Sequence, residues 1–201
     1  LKIPLLNKVI KKKIQTGLGL SECKVPLTGA APISKELLEW FQKLGIEILE
    51  VYGMTENFGV ATANFPGNVH LGSVGQTWRN GEIKIDDNGE ILTKSPATMK
   101  GYYKEEGKTN EVITNDGWLR TGDKGKFDNV GRLYITGRVK DLFKTSKGKY
   151  IAPAPIEGKL SSDENIEQVC VLGSGLPQPV AIVTLSETGL AKSEGEIKAH
   201  L

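Results

Sequence analysis

Apolar and polar positions along the chain follow two different periods. Leu5, Leu6, Val9, Ile10 and Ile14 recur at helical spacing with Lys8, Lys11, Lys12 and Lys13 between them, which predicts an amphipathic helix with a basic face. A solvated face is the simpler reading of those lysines; peripheral contact with a membrane surface is the alternative. Pro32 and Ser34 mark the start of a second helix, Leu37, Leu38, Phe41 and Leu44 form its core-facing stripe, and Gly45 supplies its stop. Residues 46–51 then read as a short buried strand running into Tyr52, Gly53, Met54, Thr55 and Glu56, where glycine and polar residues break the pattern. Loops at strand ends commonly hold ligands.

From Gly81 the period drops to two. Ile83 and Ile85 alternate with polar residues, Asp87, Asn88 and Gly89 make a turn, and residues 91–93 return as the partner strand. A second hairpin turns through Asp128, Asn129, Val130 and Gly131 into residues 133–136. After Arg138 come a lysine-rich hairpin around Lys147, Gly148 and Lys149, a helix near residues 156–160, and β-rich runs at 168–172 and 180–185 separated by a Gly/Pro loop. The expected fold class is mixed α/β. A helix-strand unit covers residues 1–80 and a small antiparallel β-rich subdomain covers 81–139; the beginning of a second, smaller α/β domain covers 140–201. No internal repeat or low-complexity tract interrupts this order.

Composition narrows the chemistry more than it names it. The chain has 201 residues, and its 26 basic and 24 acidic residues leave a formal charge of +2, so nothing favours nucleic acid, which needs a concentrated basic face. Cys23 and Cys170 stand far apart and match no metal-ligand spacing, which suggests reduced, buried thiols and a cytoplasmic setting. His70 and His200 are equally isolated, poor material for a zinc site or a Ser/His/Asp triad. No apolar run approaches the roughly 20 residues that span a bilayer.

Three short segments carry candidate chemistry. Thr55 and Glu56 set a hydroxyl beside a carboxylate on a glycine-flexed loop, suited to a phosphate oxygen and its magnesium ion, although a solvated surface turn looks the same. Gly117, Trp118, Leu119, Arg120, Thr121, Gly122 and Asp123 end in a carboxylate able to accept both hydroxyls of a vicinal diol; an ordinary Asp turn reads alike. Arg138 after Gly137 offers a planar fork to phosphate or sugar oxygens, or to a surface salt bridge.

Together with Gly29, Ala30, Ala31 and Pro32, these segments occur in an order and spacing that resembles the adenylate-forming (AMP-binding) enzymes. That superfamily includes acyl-CoA synthetases, luciferases and nonribosomal peptide adenylation domains. The likeness extends over essentially the whole chain, including Gly89 and Glu90 to Pro96 and then Gly101, Tyr102 and Tyr103. Residues 143–153 resemble the longer post-hinge loop of long-chain fatty acyl-CoA synthetases, and residues 50–56 are similar to the "bubblegum" branch of that group.

The resemblance implies specific roles. Gly29, Ala30, Ala31 and Pro32 would border adenine and the acyl channel, Tyr52 would stack on adenine, and Gly53 and Met54 would complete that loop. Thr55 would bond the α-phosphate, and Glu56 would ligate magnesium. Asp123 would grip the ribose with Arg138, Ile135 forming an apolar wall. Lys140 would be the hinge of a small C-terminal lid domain, and Lys147, Gly148 and Lys149 would face the coenzyme A side. The implied reaction joins a fatty acid, most naturally a long-chain one, to coenzyme A through an acyl-adenylate, using ATP and Mg2+. A carrier-protein or luciferase-like acceptor and a non-catalytic nucleotide-binding module are the competing readings. Family members also carry a Ser/Thr/Gly-rich phosphate loop and a late C-terminal lysine that residues 1–201 do not contain. The chain is therefore expected to be a fragment, inactive by itself. Pro153, Ala154, Pro155, Ile156 and Glu157 depart from the family's usual Pro-x-Glu-Ile-Glu, a change expected to touch packing rather than chemistry.

Overall fold

The computed structural model describes residues 4–193 and 195–197, with side chains from Asn7 onward. The side chains of Leu5 and Leu6, and His200 entirely, lie outside the described residues. The chain forms two units: Leu1–Glu82 with Lys94–Lys104 and Phe127–Tyr134, and Ile83–Thr93 with Glu105–Lys126 and Ile135–Leu201.

In the first unit, helix α1 (Pro4–Gly17) precedes strand β1 (Leu27–Thr28) and helix α2 (Lys35–Leu44). Ser34 caps α2 by accepting from the Leu37 amide, and Gly45 closes it at φ 85°, donating back to Gln42 and Phe41. The Gln15 side chain of α1 donates to the Leu44 carbonyl at 2.8 Å, serving one of the acceptors that a helix end leaves without an internal partner. The stripe of α2 is narrower than the sequence suggests: Leu38 is 1% exposed and Leu44 is buried, whereas Leu37 is 44% exposed.

Strand β2 (Leu49–Tyr52) begins three residues later than expected, because Gly45 and the Ile46 amide are still occupied in closing α2. It lies parallel to β1, with Leu27 opposite Leu49 and Thr28 opposite Glu50. Strands β3 (Thr62–Ala63) and β4 (Gln76–Thr77) extend the sheet antiparallel in the order β1-β2-β3-β4. Polar side chains are buried beside it: Thr62 donates to the Val74 carbonyl at 2.7 Å, Asn64 donates to the carbonyls of Glu50 and Ser73, and Ser73 donates to the Leu133 carbonyl at 3.0 Å. Each satisfies backbone groups that short strands leave open.

The second sheet runs in sequence order through β5 (Glu82–Ile85), β6 (Glu90–Lys94), β7 (Leu119–Phe127) and β8 (Leu133–Arg138). Ile91, Leu92 and Leu119 are buried in it. Helix α3 (Glu106–Val112), between β6 and β7, has no buried residue and therefore no apolar stripe by which the sequence could announce it. Beyond β8 come the hairpin β9 (Phe143–Lys144) and β10 (Tyr150–Ile151), helix α4 (Pro153–Leu160), the antiparallel pair β11 (Ile166–Leu172) and β12 (Val180–Leu185), and α5 (Glu187–Leu190). Proline in the first turn of α4 costs nothing, since its missing N–H has no helical acceptor. Glu157 of α4 accepts from the Val171 amide at 2.7 Å, which ties the helix to β11.

The mixed α/β class is as the sequence indicates, but the cysteines are not. Both are exposed: Cys23 lies in the connection after α1, and Cys170 falls on the outward phase of β11, opposite to buried Val171. Among the described residues no helix is long and apolar enough to cross a membrane.

Two outcomes follow from this packing. Leu38→Ala is expected to lower unfolding free energy by about 2–5 kcal/mol, read from urea denaturation. Glu50 is buried, and its carboxyl is pushed above the ordinary range by burial, partly opposed by the Gly72 amide that donates to it at 3.0 Å. A raised folded-state value favours the fold below the ordinary carboxylate range, and that contribution is lost as pH rises through the raised value. Glu50→Gln keeps an acceptor without the charge, so the variant is expected to be the more urea-resistant at neutral pH, with the advantage vanishing on acidification.

Candidate functional site

Parallel pairing brings the ends of β1 and β2 side by side, and each strand runs directly into a candidate loop. Ligands commonly sit beyond the carboxyl ends of parallel strands. After β1 come Gly29, Ala30, Ala31 and Pro32, all exposed. A Cβ on Gly29 would stand 3.0 Å from both the Val51 side chain and its carbonyl, so glycine lets this loop lie against β2. Ala30 has φ 68°, and the Ala31 amide donates to the Gly29 carbonyl at 2.9 Å.

After β2, Tyr52 is half-buried and its carbonyl accepts from the Ala61 amide at 2.7 Å. At Gly53 a side chain would collide with the Gly59 and Val60 backbone. Met54, half-buried, leads into a single 3-10 turn, Thr55–Asn57. Asn57, 3% exposed, accepts from the Met54 amide at 2.9 Å and holds the turn from inside. Thr55 is exposed and Glu56 half-buried. Phe58 closes the turn at φ 61° while 85% exposed. A left-handed aromatic residue is costly, and such conformations gather where a loop must present groups to a ligand.

Glu56 is held from two sides. Its carbonyl accepts from the Met99 amide at 2.8 Å, and its Oε1 accepts from the Tyr102 hydroxyl at 2.8 Å. The Tyr102 phenol is pushed above its ordinary range, first by this hydrogen bond, then by burial and by the carboxylate charge. The Gly101–Tyr102–Tyr103 segment is visible in the sequence as a motif; its contact with Glu56 is not, since 46 residues separate the partners. Among the described residues no group of three or more His, Cys, Asp or Glu could hold a metal. One carboxylate with a neighbouring hydroxyl fits magnesium in the mode where substrate phosphates and water complete the shell.

The other sequence-predicted residues belong to the second unit. Asp123 is 9% exposed, and its Oδ1 accepts from Arg138 Nε at 3.0 Å. Gly122, at φ 74°, accepts from the Val139 amide at 2.7 Å. Ile135 is half-buried on β8. Lys140 is exposed in the turn after that strand. Lys147, Gly148 and Lys149 form the exposed tip of the β9–β10 hairpin, closed by the Gly148 amide donating to Thr145 at 2.9 Å. Asp123 and Arg138 are thus brought together, while Lys140 and the hairpin tip are presented to solvent. Sequence reasoning missed Asn57 and gave Glu90 and Thr121 only as members of their motifs, yet the side chains of all three hold these loops from within; a motif signals no such task.

The first 100 or so residues match the family model described as AMP-binding enzyme (residues 4–103), and residues 140–201 match the AMP-binding enzyme C-terminal domain. The chain is 39% identical over 181 residues to the long-chain-fatty-acid–CoA ligase ACSBG2 of Xenopus laevis, covering 88% of this chain and 24% of that protein. Against long-chain-fatty-acid–CoA ligase 5 of Mus musculus it is 38% identical over 184 residues, covering 86% and 27%. It therefore spans about a quarter of the length of these relatives. Among solved structures it is similar to o-succinylbenzoate CoA synthetase (MenE) from Bacillus subtilis in complex with the acyl-adenylate intermediate OSB-AMP. That likeness has TM-score 0.76 and 30% identity, covering 94% of this chain and 42% of that one. An anthranilate CoA ligase in complex with anthranoyl-AMP gives TM-score 0.77 and 27% identity, covering 90% and 37%. With both halves of the chain matched in order, this protein belongs to the AMP-binding enzymes.

Proposed function

We propose that the chain is the adenosine- and magnesium-facing portion of an ATP-dependent acyl-CoA synthetase acting on a fatty acid, most naturally a long-chain one. The observation that carries this reading is the pair of strained loops at the ends of parallel β1 and β2, one of them presenting a Glu56 carboxylate already oriented by Tyr102. Relatives named as long-chain-fatty-acid–CoA ligases support the substrate class, and the MenE structure with ATP and magnesium ion supports the nucleotide and the metal.

In this reading the acid's carboxylate oxygen attacks the α-phosphorus of ATP, the bond to the β-phosphate oxygen breaks, and pyrophosphate leaves. The thiol sulfur of coenzyme A then attacks the acyl carbon, releasing AMP and yielding the thioester. Gly29, Ala30, Ala31 and Pro32 border adenine, Tyr52 stacks on it, and Thr55 donates to the α-phosphate. Asp123 accepts from the ribose hydroxyls while Arg138 fixes its carboxylate. Glu56 would hold magnesium, which would supply positive charge to offset that of the phosphates. Lys140 in its exposed turn serves as the hinge to a lid formed by residues 140–201, a boundary supported by the family match that starts there. Lys147, Gly148 and Lys149 serve the coenzyme A side.

Three measurements test this. In the full-length enzyme, long-chain fatty acids are expected to give the highest kcat/KM for coenzyme A ligation; preference for an aromatic acid would move the substrate class toward that of the anthranilate and o-succinylbenzoate ligases. Asp123→Asn is expected to raise KM for ATP by about tenfold or more, the worth of a hydrogen bond to a charged group. Glu56→Gln is expected to weaken Mg2+ binding and also to return the Tyr102 phenol toward its ordinary range, followed by tyrosinate absorbance. The sign is fixed: the Tyr102–Glu56 bond persists above the ordinary tyrosine range and is lost only as pH rises through the raised value.

A further inference from the structure

Asp123 is held in a bulge of β7. Glu90 faces Lys124 and Leu92 faces Arg120, so the single residue Ile91 of β6 lies opposite Thr121, Gly122 and Asp123 of β7. Extra residues in one strand break the ladder and re-aim a side chain, and such bulges are frequent beside active sites. The backbone groups freed here are taken by named partners. Thr121 Oγ1 donates to the Ile91 carbonyl at 2.8 Å and accepts from the Asp123 amide at 3.1 Å. The Gly122 amide donates to Glu90 Oε1 at 3.0 Å, and the Gly122 carbonyl accepts from the Val139 amide at 2.7 Å.

Glu90 is 6% exposed and uses its two oxygens differently. Oε2 accepts from Arg120 Nη1 at 2.8 Å, while Oε1 serves the bulge. Arg120 also reaches Asp86 at 3.4 Å. Burying a carboxylate is costly without a charged partner, and the guanidinium on Oε2 leaves Oε1 available to the Gly122 amide. That single residue, through the peptides on either side of it, then positions both members of the Asp123–Arg138 pair: Asp123 follows Gly122 directly, and Arg138 precedes Val139, which donates to the Gly122 carbonyl.

We propose that Glu90, clamped by Arg120, is a positioning residue for nucleotide binding that acts by setting the β7 bulge from which Asp123 reaches the ribose diol. This rests on the assignment of Asp123 to the diol made above. The amide of Glu90→Gln has one oxygen for two donors, Gly122 and Arg120, and its NH2 group must face one of them. The charged Arg120 donor takes the oxygen as the stronger partner, so the NH2 group faces the Gly122 amide and the bulge is released while core volume is kept.

The test measures equilibrium affinity of the full-length enzyme for ATP and for 2′,3′-dideoxy-ATP by calorimetric titration. Glu90→Gln is expected to weaken ATP by about tenfold, in line with loss of a charged hydrogen bond, and to leave the dideoxy analogue as in the unaltered enzyme. Adding Arg120→Met to Glu90→Gln frees the amide oxygen for Gly122 and is expected to restore ATP affinity. A purely structural Glu90 would weaken both nucleotides alike and gain nothing from the second substitution; either result overturns the inference, as does unaltered ATP affinity in Glu90→Gln. If the single variant does not fold, the double variant carries the test, and its failure to bind ATP normally is equally decisive. Should the unaltered enzyme bind ATP and the dideoxy analogue equally, the diol assignment of Asp123 fails first, a result distinct from failure of the Glu90 clamp alone.

Discussion

Parallel pairing of β1 with β2 is the constraint on which the first unit's candidate site depends. Two strands of two and four residues contribute little stability by themselves, but their register fixes which loops become neighbours. Because they run in the same direction, residues 29–32 and 53–56 leave the sheet at the same edge. Gly29 then lets the first loop approach Val51, and Gly53 lets the second fold back on Gly59. Antiparallel pairing would have sent the two loops to opposite ends.

Each unit also uses a buried carboxylate to pin a loop through a backbone amide. Glu50 accepts from Gly72 and Glu90 accepts from Gly122, both at 3.0 Å, yet the electrostatic settings differ. Glu90 has the Arg120 guanidinium beside it, whereas burial dominates at Glu50 and raises its carboxyl. The first arrangement pairs the carboxylate with a cation; the second leaves a tether whose contribution to stability falls as pH rises. Tyr102 adds a third version, in which a neutral phenol orients the partly exposed Glu56 from a segment distant in sequence.

Local signals in the sequence were sufficient for elements whose causes are local. Ser34 and Gly45 bracket α2 because capping involves residues within one turn. The β5–β6 and β9–β10 hairpins follow from short glycine-containing turns. Helix α3 had no such signal, since none of its residues is buried. The burial expected for Cys23 and Cys170 also failed, because a cysteine's average hydrophobicity does not say which face of a strand or which turn it will occupy.

By itself the sequence determined the mixed α/β class, the turn and cap positions, and the motif order that resembles the AMP-binding enzymes, all of them properties of residues close together along the chain. The resemblance sets Asp123 and Arg138 on one ribose, but tertiary structure alone decided that Arg138 would donate to Asp123 itself, that Tyr102 would orient Glu56, and that Glu90 would reach the amide of Gly122. These partners lie 15, 46 and 32 residues apart; strand register and a bulge bring the first and third to hydrogen-bonding distance, and the packing of the loop after β6 against the 3-10 turn brings the second. A motif can name the residue that touches a ligand. What aims it depends on contacts that do not exist until the sheets have formed.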